Sequence, residues 1–265
     1  MDGFKFKKSL GQNFLIDNNI IDKIMSNIVV DEDTLVIEIG AGSGNLTCNL
    51  ASICKKLICF EIDGRLESTL KKRLACYSNV NLIMQDFLKA DISTIIENCN
   101  LSKLVVVSNL PYYITTAIIN KFIENNIFPD KFLLMMQLEV GNRITANVGT
   151  KNYNSLTVCL NYYYNINKLF VVKRTCFKPI PNVDSVVISM NKKIRKLSKD
   201  EEAIFLKLVR DSFRQKRKTL KNNLDSYDLN LMAIILNKLG KDLSVRAENL
   251  TIDDFVEISK FLFNH

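Results

Sequence analysis

Apolar residues over the first 140 positions follow two alternating rhythms. Ile20, Ile21, Ile24, Met25 and Ile28 recur at three- and four-residue spacing, which predicts a helix within 18–30. Leu35, Val36, Ile37 and Ile39 then predict a short buried strand, and Gly40-Ala41-Gly42-Ser43-Gly44 follows it, with a helix expected from about Asn45. The same succession repeats. Strands are expected over 57–62, 80–84, 104–108 and 132–137, and helices over 66–74 and around 116–124. Apolar strands alternating with helices predict parallel βαβ units, and right-handed crossovers wind such units into an α/β doubly wound sheet.

The pattern changes after about residue 155. Runs at 156–164, 168–173 and 185–190 read as strands, the last two without a long helix between them, so a closing antiparallel hairpin is expected. After Lys192-Lys193-Ile194-Arg195 the chain turns helical and charged. The expected organisation is therefore a larger domain over 1–195 and a small helical domain over 196–265.

Composition narrows the field. With 265 residues, 47% of them hydrophobic, the chain can bury a substantial core. The net charge of +8 favours an anionic partner, nucleic acid or a membrane surface. No apolar run reaches membrane-spanning length. The basic stretch 1–8 leads into polar Gly11-Gln12-Asn13 rather than an apolar signal segment, so a cytoplasmic protein is expected. The seven cysteines are odd in number and none shows C-x-x-C spacing, which argues against a disulfide framework or a zinc site. The single histidine is His265, so the chemistry must run without a catalytic imidazole and no metal is expected.

The glycine segment is the first candidate site. Glu38-x-Gly40-x-Gly42-x-Gly44 lies between an expected strand and an expected helix, where glycines permit a sharp turn and close approach of a ligand. A dinucleotide loop would place glycine at position 45, which is Asn45 here. The G-x-G-x-G form is the one methyltransferases of this sheet type use for the methionine part of S-adenosylmethionine. Glu61 ends the second strand about 20 residues on, where a carboxylate can accept both ribose hydroxyls. Asp86 ends the third and could accept from the adenine amine. Taken singly, each acid could equally be a loop carboxylate or a helix cap.

The second candidate is Asn109-Leu110-Pro111-Tyr112, after the fourth strand. An exocyclic adenine amine is a poor nucleophile, because its lone pair is delocalised into the ring. Two acceptors aimed at its hydrogens, the Asn109 side-chain oxygen and the Leu110 carbonyl, would favour a pyramidal, more reactive nitrogen. Pro111 fixes φ and removes a donor, and Tyr112 offers a face for a flipped base. A sulfonium donor needs no strong general base, which fits a chain without a usable histidine.

The chain resembles the small-subunit (16S) ribosomal RNA adenine N6,N6-dimethyltransferases. The resemblance is carried by KSLGQNFL at 8–15, Glu38 to Gly44, Glu61-Ile62-Asp63, Gln85-Asp86 and Asn109 to Tyr113, together with FKPIPNVDS at 177–185 and FRQKRK at 213–218. It implies a Rossmann-like class I methyltransferase fold with a mostly parallel seven-stranded sheet and a small all-helical C-terminal domain. It implies dimethylation of two adjacent adenosines near the 3′ end of small-subunit rRNA within a pre-30S particle, by a monomer. Motif matching adds Asn13, Leu15, Gly42 and Ile62 to Gly40, Glu61, Asp86 and Asn109 as candidate cofactor residues, and places Phe177 opposite Tyr112 at the target adenine. Tyr113 occupies a variable place in the motif.

Two basic regions suit RNA. Lys5, Lys7 and Lys8 are interleaved with Phe4 and Phe6, and Arg210, Arg214, Lys216, Arg217, Lys218 and Lys221 form a second cluster. Three rivals stand beside this reading: a large-subunit (23S) rRNA adenine methyltransferase conferring macrolide resistance, an RNA-binding assembly factor with secondary catalysis, and a NAD-binding oxidoreductase. The FKPIPNVDS and FRQKRK segments favour the small-subunit enzyme over the first.

Overall fold

A computed structural model describes residues 12–109 and 114–265. In chain order, the first elements are β1 (Phe14–Leu15), α1 (Asn18–Met25), β2 (Thr34–Ile39), α2 (Asn45–Ala51), β3 (Lys56–Phe60), α3 (Glu67–Leu74) and β4 (Val80–Ile83). Next come α4 (Ile92–Glu97), β5 (Lys103–Asn109), α5 (Thr115–Glu124), β6 (Lys131–Gln137), α6 (Leu138–Ile144), α7 (Ser155–Tyr163), β7 (Tyr164–Val172), β8 (Phe177–Lys178) and β9 (Ser185–Lys192). Four helices complete the chain: α8 (Lys199–Ser212), α9 (Leu220–Asn223), α10 (Leu229–Lys238) and α11 (Ile252–Phe263).

Seven strands form one sheet in the order β4-β3-β2-β5-β6-β9-β7. β2 pairs in parallel with β3 and β5, β3 with β4, and β5 with β6; β9 runs antiparallel to β6. This is an α/β doubly wound sheet, mostly parallel, with an antiparallel strand next to β6. β2 is buried along its whole length, as a central parallel strand covered on both faces must be. Successive strands run outward in one direction from β2 to β4 and in the other from β5 to β6. The order therefore reverses between β2 and β5, and the crevice beyond their carboxyl ends is where ligands bind in open sheets.

The chain divides into two compact units, 1–141 with 167–192, and 142–166 with 193–265. One passage between the units falls at 192/193, and residues 142–166 group with the later helices. In the second unit, Phe205, Leu208, Val209, Leu236, Phe255 and Ile258 are buried between helices.

One element differs from its expectation. The segment read as a strand over 156–164 is the helix α7, and the strand begins only at Tyr164. Asn154 starts that helix: its side chain accepts from the N–H groups of Leu156 and Thr157, while Thr157 Oγ1 accepts from the Asn154 N–H. This reciprocal cap satisfies the first orphan donors of a helix, and it outweighs the β-branched and aromatic content of the run. The two-residue strands β1 and β8, paired antiparallel, were not expected at all.

Candidate active site

The first wall of the crevice is the glycine loop after β2. Gly40, Gly42 and Gly44 all have positive φ (85°, 56° and 80°), a region L-residues with a Cβ rarely enter. The Gly40 and Ala41 N–H groups donate to Phe60 O at 2.9 and 3.0 Å, binding the loop to the end of β3. A Cβ on Gly42 would come within 3.0 Å of the Phe14 ring, so the loop can lie this close to β1 only as glycine.

Glu61, the residue following β3, is 6% exposed. Its Oε2 accepts from the Gly42 N–H at 2.7 Å and its Oε1 from the Asp63 N–H at 2.9 Å. Burial raises its pKa, and the two N–H donors pull it down in part. Glu38, one strand over and paired with Cys59, is buried to 1%. Its Oε2 and the Thr47 Oγ1 are both buried without a completed hydrogen bond. Burial pushes Glu38 up to about 8; Thr47 offsets this slightly and the charge of Glu61 adds to it.

Asn109 ends β5 on the other side of the switch point, and its carbonyl oxygen lies 3.8 Å from where a Gly40 Cβ would stand. Its Nδ2 donates to Asn13 O at 3.4 Å. That fixes the amide with Oδ1 turned the other way, carrying no hydrogen bond among the described residues. An acceptor is thus held ready beside the glycine loop. Leu110, Pro111, Tyr112 and Tyr113 lie outside the described residues, as do Lys5, Lys7 and Lys8.

The remaining candidates are placed as follows. Leu15 is buried in β1, and its carbonyl accepts from Asn45 Nδ2 at 3.0 Å. Ile62 is 53% exposed next to Glu61, an apolar surface open to solvent. Asp86 caps a 3-10 turn, its Oδ1 accepting from the Leu88 N–H at 3.0 Å, while its Oδ2 carries no bond among the described residues. Phe177 is only 2% exposed and belongs to the apolar cluster of Leu15, Ile20, Ile24 and Val172. The ring expected to face a target base packs in this cluster, with β1 along the segment that carries it. His265 stacks on Phe261 at the chain end, with Nδ1 2.8 Å from Phe261 O. It has no part in this site.

The crevice suits S-adenosylmethionine. Three positive-φ glycines turn the loop tightly beyond β2, a buried carboxyl sits at the end of the neighbouring strand, and an apolar side chain lies exposed beside it. The model of the ribosomal RNA adenine dimethylase family matches residues 3–264. The chain belongs to the ribosomal RNA adenine dimethylase family. Among relatives of this dimethylase, ribosomal RNA small subunit methyltransferase A of Staphylococcus haemolyticus is 44% identical, over 97% of this chain and 90% of that one. The protein of the same name from Bacillus mycoides is 43% identical, over 99% and 93%. A dimethyladenosine transferase from Plasmodium falciparum superposes with TM-score 0.78 at 29% identity, covering 92% of this chain and 95% of that one. A 23S rRNA methyltransferase shares the fold, with TM-score 0.77 at 24% identity over 95% and 100% of the two chains. As a member of the family, this dimethylase uses S-adenosylmethionine as methyl donor and modifies ribosomal RNA.

Sequence reasoning missed the residues that tie the dimethylase's site to β1. Gln12 Nε2 donates to Asp63 Oδ2 at 2.6 Å, and Asp63 is also paired with Arg65 at 2.6 Å. The Arg65 guanidinium holds Asp63 well below the usual carboxylate range, so it stays an acceptor. Arg73 Nη1 donates to Ser43 O at 2.7 Å and to Asn45 Oδ1 at 2.9 Å. Partners 28 to 51 positions apart leave no local signal in a single sequence.

Proposed function

We propose that this protein transfers methyl groups from S-adenosylmethionine to N6 of two adjacent adenosines near the 3′ end of small-subunit rRNA. Four transfers complete the pair, on a pre-30S particle, by a cytoplasmic monomer. The observation that carries this reading is Asn109: at the switch point, beside the glycine loop, with its amide oriented so that Oδ1 is left as an acceptor.

The residues then divide the work. Gly40, Gly42, Glu61, Ile62 and Asp86, with Asn13 and Leu15 of the β1 segment, would hold the cofactor. When bound, it supplies an electrophilic methyl group on a sulfonium. Asn109 Oδ1 would accept from the target amine and localise its lone pair; the parts expected of the Leu110 carbonyl, Pro111 and Tyr112 rest on the sequence motif alone. Phe177 would join Tyr112 at the base once uncovered. No side chain need remove the proton before transfer, so holding amine and donor in line is the main catalytic contribution. The basic segment 213–221 of the second unit would contact rRNA phosphates.

Mass spectrometry of rRNA digests, after incubation of protein and cofactor with unmethylated small subunits, should show two dimethyladenosines. Asn109→Ala should abolish transfer while RNA binding persists. Undiminished transfer by that variant would remove Asn109 from the mechanism. Methylation confined to large-subunit RNA would overturn the substrate assignment.

A further inference from the structure

A pair of two-residue strands has too little ladder to hold itself in place, so β1 and β8 must be fixed by other means. On one edge β1 pairs with β8, with Phe14 opposite Lys178 and Leu15 opposite Phe177, and the Ile16 N–H extends the ladder to Cys176 O at 3.0 Å. Further attachments reach the cofactor crevice. Gln12 reaches Asp63, Asn13 O receives Asn109 Nδ2, and the Phe14 ring lies against Gly42. Leu15 O receives Asn45 Nδ2 at 3.0 Å.

The last link has an unusual property. The Asn45 amide is used at both ends: Nδ2 donates to Leu15 O, while Oδ1 accepts from Arg73 Nη1 at 2.9 Å. The same Arg73 nitrogen donates to Ser43 O, inside the glycine loop. One guanidinium on α3 thus grips the loop and orients the amide that holds β1. A shift of the loop would move both acceptors of Arg73 Nη1, Ser43 O and Asn45 Oδ1, together. β1 is the ladder partner of 176–178, so the displacement passes to the segment that carries Phe177.

We propose that Arg73 and Asn45 are positioning residues that couple occupancy of the cofactor loop to the placement of residues 176–178. Phe177 is covered, with β1 along its segment. Cofactor binding, acting through Ser43, Arg73, Asn45 and Leu15, resets the strand that covers it. What Phe177 then does rests on the proposed function; the coupling itself is tested without RNA.

The experiment is hydrogen–deuterium exchange, read on peptides covering 12–17 and 174–180, with and without S-adenosylmethionine at saturation judged by calorimetry. In the unmodified protein, cofactor should change exchange in both peptides by about fivefold, the effect of one ordinary hydrogen bond gained or lost. Arg73→Ala should keep the cofactor-induced change at the glycine loop but lose it at 174–180. Asn45→Asp keeps an acceptor for Arg73 but sets a carboxylate oxygen against Leu15 O in place of the donor, so it should uncouple 174–180 in the same way. Arg73→Lys should restore part of the response. Unchanged exchange in the β2 and β5 peptides shows that each variant is folded. A wild-type response at 174–180 in both Arg73→Ala and Asn45→Asp overturns the coupling while leaving the functional reading intact. Absence of cofactor binding by the unmodified protein overturns both.

Discussion

Glu38 shows how one side chain can carry a cost inside an otherwise favourable strand. It sits in the middle of the sheet between Cys59 and Val107, fully enclosed, with Oε2 unbonded. The titratable groups that face it are Glu61 and the thiols of Cys54 and Cys59. Burial raises both thiols, Cys54 to about 11, so they stay neutral across the working range. Burial places Glu38 at about 8, against 4.5 in an unfolded chain. Between those two values the folded protein holds a proton that the unfolded chain has released. Its contribution to stability is therefore complete below about pH 4.5 and lost progressively as pH rises toward 8. Glu38→Gln removes the titration and keeps the shape. Urea midpoints of the two proteins should nearly coincide at about pH 5 and diverge above it, the variant being the more stable at about pH 8.5. Glu61, which burial also raises, contributes a slope of the same sign in both proteins. Parallel curves over the whole range would mean that Glu38 is ionised in the folded state.

At the scale of elements, the turn between α8 and α9 depends on one buried amide. Asn223 Nδ2 donates to Ser212 O at 2.7 Å and Gln215 O at 3.2 Å, and its Oδ1 accepts from the Gln215 N–H at 3.0 Å. Asn223→Ala strands those backbone groups and should destabilise the protein by about 1–3 kcal/mol, read as a lower urea midpoint with unchanged slope. A midpoint equal to that of the unmodified protein would show that water replaces the amide at no cost. No periodicity announces such a residue, and the same limit separates what could be read in the chain from what could not. The strands ending at Ile39, Phe60, Ile83 and Asn109 were legible because buried parallel strands are written as continuous apolar runs. Their carboxyl ends placed the glycine loop, Glu61, Asp86 and Asn109 around one crevice. The segment 156–164 misled because Leu156, Val158, Leu160, Tyr162 and Tyr164 alternate as in a half-buried strand. The cap at Asn154 and burial among the helices decided otherwise. β1 and β8 were not legible, because register between segments more than 100 residues apart is set by packing, and the Asn45–Arg73 link, 28 positions apart, follows no helical or strand spacing.

At the scale of the whole molecule, the net charge of +8 matters only where cations are free to meet phosphate. Arg210 lies 3.6 Å from Asp211, and Arg214 pairs with Asp225 at 2.9 Å, so those two are partly neutralised. Lys216 donates to the Lys151 carbonyl, which keeps its charge but fixes its direction. Arg217, Lys218 and Lys221 are exposed and form no ion pair among the described residues. The turn held by Asn223 presents the first two of them, and α9 the third. Each phosphate neutralised by such a side chain releases counterion, so affinity falls linearly with salt on a double-logarithmic plot. Replacing Arg217, Lys218 and Lys221 together by Gln should weaken binding to unmethylated small subunits at low salt. It should also make the slope shallower by about 2 to 3 units, close to one per lost phosphate contact. Cofactor affinity measured by calorimetry should not change, because the crevice belongs to the other compact unit. A weaker complex with an unaltered slope would assign these cations to shape or folding rather than to phosphate. An unaltered affinity would move the RNA footprint away from the second unit altogether.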